Sequence, residues 1–268
     1  MAKDKNLQNK IEELELELKH KSSELLSYKN ELKRLSHRLE LMTLRMSDEL
    51  NAAQRLQKML SPTELPRIGG VDVSTKFIPG SQFGGDYLDL FEYEDRLKFG
   101  VLVSSASGYA MSSLLLTVIF SLTTKIQAKN PLSPDQFIKE LITQCQEQMG
   151  AKDAFSLFFG VLDRRSFEMT YCLMGSLDAY HQSSTAVALE KLTPCADRIL
   201  KETVLNPNPK RISFSSKDRL ILLSEGLRNS KNNQGQYWGP EGVLDAIYNA
   251  PRSGVHDLRN EILFKIAN

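Results

Sequence analysis

A heptad stripe at the N-terminus limits more than any other feature what this chain can fold into. Alternating steps of three and four from Leu7 land on Leu7, Ile11, Leu14, Leu18, Lys21, Leu25, Tyr28, Leu32, Leu35, Leu39, Met42, Met46, Glu49, Ala53, Leu56 and Leu60, and only Lys21 and Glu49 are not apolar. No Gly or Pro occurs before Pro62, so nothing offers the turn that a helical hairpin would need. The repeat predicts one helix over residues 1–60, paired with another helix as a coiled coil. With Ile11 at an a position, Lys10 with Glu15 and Glu24 with Lys29 fall on g and e sites that attract each other in a parallel pair. Such a rod is roughly 80 Å long at about 1.5 Å per residue, and alone it would leave its leucines in water. Homodimerisation through Ile11, Leu14, Leu18, Leu25, Leu32, Leu35 and Leu39 is therefore expected. Leu41, Leu44 and Leu50 lie off the stripe, which widens the apolar surface and suggests that residues 41–60 form a control helix touching the following domain or a partner.

The segment SPTELPRIGG ends that helix with two prolines and two glycines, giving a linker over 61–67 and a domain over 68–268. Within it, Val71, Val73, Thr75 and Phe77 alternate as a strand should, and Tyr87 to Tyr93 and Arg96 to Val103 read as two more strands joined at Glu94-Asp95. Ala110 to Lys129 is helical, Pro131 breaks it, and Ser133 with Pro134 caps a second helix running to Met149. AFSLFFGVLD, the turn DRRS and FEMTYCLM form a hairpin, followed by weaker strands at AVALEKL, ISFSS and RLILLS and a helix from Pro240 to Tyr248. Strands in runs with a helical pair between them predict an α+β fold of packed sheets with helices outside, rather than a parallel βαβ sheet.

Charge narrows the partners. Lys and Arg total 34 against 33 Asp and Glu, a net charge of +1, so nothing draws the chain as a whole to nucleic acid or to an anionic membrane. The polar start MAKDKNLQNK has no apolar signal region, and the run near Leu114 to Phe120 is too short to span a bilayer. Cys145, Cys172 and Cys195 are scattered, which suits a reducing compartment, so they read as small buried hydrophobes and a cytoplasmic location is expected.

The residues alone offer little chemistry. His20, His37, His181 and His256 lack metal-ligand spacing. Ser104, Ser105 and Ser107 precede a helix but have no GxSxG elbow, and Gly84-Gly85 has no following Lys-Ser/Thr for a phosphate loop. The order of four motifs is more informative. AAQRLQKMLSPTELPRIGGVDVSTKFIPGSQFGGDYLDLF, FGVLVSSASGYAMSSLLL, FSLFFGVLDRRSFEMTYCLMGS and KDRLILLSEGLRNSKNNQGQYWGPEGVLDAI, over roughly residues 50 to 248, resemble the PPM-type serine/threonine phosphatases of the bacterial SpoIIE and RsbU kind. The resemblance implies an α-β-β-α sandwich, two antiparallel sheets flanked by helices, here without an identifiable last strand.

It also implies a site. In the family, aspartates at strand ends hold two Mn or Mg ions that activate water against phosphoserine or phosphothreonine, and hard cations of this kind need oxygen ligands. Asp86 in GGDYLD matches the first metal aspartate, with Gly84, Gly85 and Asp89 as motif support. The bridging aspartate of DVSGHG falls on Ser105, Gly108 is kept, Tyr109 replaces the motif histidine and Ala110 the following glycine. At TDG stands Ser224-Glu225-Gly226, with a carboxylate one methylene longer, and no last metal aspartate is found. The resemblance thus points to a degenerate phosphatase with no cofactor expected. Its role would be that of a partner-switching module that binds a phosphoprotein such as an anti-sigma-factor antagonist and is controlled through the helical pair after the second motif. The alternatives are an active enzyme, with one weakly held Mn or Mg at Asp86, Asp89 and Glu225, and a coiled-coil scaffold with no ligand site.

Overall fold

The computed structural model describes residues 2–60, 65–77, 85–107, 110–185, 189–204, 206–231, 235–252 and 254–267. Two units are distinguished, Met1–Ala52 and Ala53–Asn268. The first lies within one helix, α1 (Ala2–Leu60), the length of the heptad repeat. Its stripe is open to solvent in the single chain: Leu18, Leu25 and Leu32 are each close to 70% exposed.

The second unit contains β1 (Gly85–Glu92), β2 (Lys98–Ser107), α2 (Ala110–Lys129), α3 (Pro134–Gln148), β3 (Ala154–Asp163), β4 (Glu168–Met174), β5 (Asp178–Gln182), β6 (Leu189–Lys191), β7 (Ile199–Leu200), β8 (Lys210–Ser213), β9 (Arg219–Leu223), α4 (Glu225–Arg228), α5 (Gly239–Asn249) and α6 (Val255–Ala267). One sheet runs β1-β2-β3-β4-β8, with β7 also pairing β3, and the other runs β6-β5-β9. Every ladder between these strands is antiparallel.

Three apolar layers hold the sheets and helices together. Leu116 and Phe120 of α2 and Phe137, Ile138 and Leu141 of α3 pack on one face of the large sheet through Leu102, Phe155, Leu157 and Phe159. The opposite face, with Leu90, Phe99, Phe158 and Leu173, packs on Ala179, Leu220 and Leu222 of the small sheet. Tyr180 and Ile221 turn outward to Val243, Ala246 and Ile247 of α5 and Leu258 and Ile262 of α6. The result is the α-β-β-α order, and β3 reads as an almost unbroken apolar run because both of its faces are covered.

Several local expectations change. Residues 71–77 form no strand, so two strands rather than three precede α2 among the described residues; Val71 and Val73 still pack on the layer between the sheets. Apolar alternation reported a buried edge there and not a ladder. Arg96 belongs to the β1–β2 turn with φ 55°, because Tyr93 and Lys98 already close the hairpin. Ser133 precedes α3 but directs its hydroxyl to the Gln136 side chain at 2.8 Å instead of capping the backbone. The strands β5 and β7 and the helices α4 and α6 stand where the sequence pattern shows no element. No strand follows β9 among the described residues, and α6 occupies positions 255–267.

Candidate functional site

The register of the large sheet places three polar residues side by side. Asp86 pairs with Ser105 across β1 and β2, and Ser105 with Ser156 across β2 and β3. Side chains alternate along a strand, so these residues share the face that carries Leu90, Val103 and Phe158, and they continue the layer between the sheets as a polar seam. Ser105 donates its hydroxyl to Asp86 Oδ1 at 2.6 Å.

From Ser156 the seam leaves the sheet. The Ser176 N–H donates to Ser156 Oγ at 3.0 Å, and the two hydroxyls lie 3.2 Å apart. Ser176 Oγ donates its proton to Glu225 Oε2 at 2.9 Å, which leaves Ser156 as the donor between the hydroxyls. The approach is close: a Cβ on Gly175, whose φ is 83°, would stand 2.3 Å from Ser156 Oγ. Only glycine permits that backbone so near the hydroxyl.

Glu225 opens α4. Its Oε2 is also 3.0 Å from Arg198 Nη2, and Arg198 reaches Ser107 Oγ at 3.4 Å on the far end of β2. Arg198 is fixed by backbone on both sides. Cys195 N–H donates to the Leu173 carbonyl and Gly175 N–H to the Ala196 carbonyl, while Ile199 and Leu200 pair with Phe155 and Ala154. Arg228, one turn after Glu225, donates to the Ser176 carbonyl at 2.9 Å and faces buried Asp178, which also accepts from Lys191 at 2.8 Å.

The expected site residues separate. Asp86 and Ser105 meet directly, and Glu225 joins the same seam through Ser176. Asp89 does not: three residues from Asp86 it lies on the opposite face, where Oδ2 accepts from Thr124 at 2.6 Å and from Tyr87 at 3.1 Å. Burial, and next the Asp89 charge, push the Tyr87 hydroxyl well above its usual pKa. The single-ion set of Asp86, Asp89 and Glu225 is thereby corrected, because strand alternation divides it. Gly85 packs on α2, where a Cβ would meet Ser113 Cβ at 2.7 Å, whereas a Cβ on Gly226 would make only an ordinary contact with Ser224 Oγ at 3.8 Å. Gly84, Gly108 and Tyr109 lie outside the described residues.

Ser156, Ser176 and Arg198 escaped the sequence analysis, and the only signal was the Gly175-Ser176 pair after a strand. Cys145 and Cys172 are buried as expected, whereas Cys195 is only partly buried, and its thiol meets that of Cys172. That contact and burial raise Cys172, while the same contact, helped by backbone hydrogen bonds, lowers Cys195 below a free thiol.

The sequence model of the family described as Stage II sporulation protein E (SpoIIE) matches residues 95–268. The chain belongs to the SpoIIE family. Solved structures support this SpoIIE fold. The SiaA-PP2C domain of Pseudomonas aeruginosa aligns with a TM-score of 0.63 at 15% identity, over 84% of this chain and 90% of that one. The RsbU and RsbW domains of Rv1364c from Mycobacterium tuberculosis align at 0.57 and 15% identity, over 68% of this chain and 51% of that one. The phosphatase domain with a regulatory fragment of the cell fate determinant SpoIIE from Bacillus subtilis aligns at 0.56 and 13%, over 68% and 53%. This chain thus spans about half the length of the latter two. Among curated proteins, no sequence matches it.

A SpoIIE-type fold implies a two-ion centre, and the donor set among the described residues does not fit one. Two divalent ions held close together need a shared anionic ligand and several further hard oxygens. Opposite Asp86 stands a neutral hydroxyl that hydrogen-bonds the very carboxylate it would have to complement. Glu225 already faces a guanidinium. Among the described residues no group of three or more His, Cys, Asp or Glu is placed to hold a metal ion.

Proposed function

We propose that this protein is a dimeric signalling module whose SpoIIE domain recognises a phosphorylated regulatory protein without hydrolysing it. The observation that carries the reading is the Asp86–Ser105 pair: a hydroxyl in register with the first carboxylate cannot supply the shared charge that two metal ions need. Partner-switching context is supported by the RsbU and RsbW domains found together in the Mycobacterium tuberculosis relative. The module is a 1–60 coiled coil, a 61–67 linker and a 68–268 domain. Its dimer seam is the exposed stripe of Ile11, Leu14, Leu18, Leu25, Leu32, Leu35 and Leu39. Residues 41–60 act as the control helix. No described helix is long and apolar enough to cross a membrane.

The test is phosphate release from a phosphoserine protein with and without Mn. The wild type should give none above background, and Asp86→Ala should change nothing. Ser105→Asp, which restores the shared carboxylate, should improve Mn binding. Mn-dependent turnover by the wild type that disappears in Asp86→Ala would establish an active phosphatase instead. Sedimentation of the full chain should show a dimer; a monomer at tens of micromolar would remove the coiled-coil part of the reading.

A further inference from the structure

We infer that Arg198 is the built-in cation of this site, holding by its guanidinium the carboxylate that relatives of this fold would offer to a metal ion. The inference rests on reading the domain as non-hydrolytic and adds what stabilises its charges in place of an ion.

Three observations carry it. Arg198 Nη2 lies 3.0 Å from Glu225 Oε2, the same oxygen that accepts from Ser176, so this carboxylate oxygen is doubly engaged. The same Nη2 reaches Ser107 on β2, so one cation spans from α4 to the strand carrying Ser105, much as a bridging ion joins elements distant in sequence. Its backbone is stitched to the ends of β3 and β4 on both sides, so the sheet fixes where this partly exposed side chain starts, and Glu225 and Ser107 lie within its reach. A dication would have to displace a cation from Glu225. Arg198 Nε is buried with no hydrogen-bond partner among the described residues, so the stem of the fork is enclosed while the side chain as a whole stays 38% exposed. A guanidinium stays charged at every physiological pH, so this arrangement keeps Glu225 compensated independently of metal supply.

The experiment uses the full chain, with MnCl2 as the probe, read by isothermal titration and by the thermal midpoint. Wild type and Arg198→Lys, which both keep a cation, should show no saturable Mn binding and no change of midpoint. Arg198→Gln should melt lower in the absence of metal and should gain saturable Mn binding, at least about tenfold tighter than the detection limit that the silent wild type sets, the scale on which altered support around ligands changes affinity. Arg198→Gln/Glu225→Gln should lose that binding. Saturable Mn binding by the wild type, or an Arg198→Gln protein as silent toward Mn as the wild type, would overturn the role of Arg198. Wild type that binds Mn but releases no phosphate would overturn this inference alone, whereas Mn-dependent release would overturn the proposed function with it.

Discussion

Asp86 and Asp89 stand three residues apart on one strand and do different work. Asp86 faces the seam between the sheets and is held by one hydroxyl from Ser105. Asp89 faces α2 and is held by Thr124, whose side chain is fully buried, and by the hydroxyl of buried Tyr87. The difference shows that a motif's acids need not act together: the two-residue period of a strand sends one to the seam between the sheets and the other to the helix packing. The first is free to change its chemistry; the second ties a helix to a sheet.

Four outcomes would break or sharpen that contrast. The largest effect is expected on the seam itself. Gly175→Ala combines a positive φ with a collision against Ser156 and should cost about 3 kcal/mol, read as a lower urea midpoint. Next, Asp89→Ala should cost about 2 kcal/mol, because it leaves Thr124 and Tyr87 without their charged acceptor. Asp86→Asn should cost less, about 0.5 kcal/mol, since an amide oxygen still accepts from Ser105. Equal losses from the two aspartates in one denaturation series would erase the distinction between seam face and packing face.

The smallest effect concerns a neighbour of the seam. Cys195, three residues before Arg198, has a lowered pKa through its contact with Cys172 and backbone hydrogen bonds. A lowered pKa means more thiolate at neutral pH, so iodoacetamide should label Cys195 at pH 7 in preference to Cys145, whose thiol is driven up by burial. Labelling should fall as the pH drops through the lowered pKa. Cys172→Ala should slow it at pH 7 by removing the contact; an unchanged rate would dissociate the pair.

Legibility followed sequence distance. Helix α2 has the ends that the pattern gave it, Ala110 and Lys129, and the β3–β4 hairpin turns at the anticipated residues. These elements carry their own period or turn. β5 is not legible in that way: its five residues pair with β9, Asp178 with Leu223, and its burial comes from a strand far along the chain. β7 is two residues long and exists only as a partner for the start of β3. Within the site, Asp86, Ser105 and Glu225 stand in motifs and were found, but Ser156, Ser176 and Arg198 are ordinary residues made special by register.

By itself the sequence determined the long heptad helix, the α+β class and the order of motifs, with Ser105 standing in the second of them, because each depends on residue type and local spacing. Tertiary structure alone decided which acids share a face, and it brought Arg198 to Ser107 across 91 positions. A charge network is set by which side chains meet in space, and chain order does not encode that until the sheets have closed.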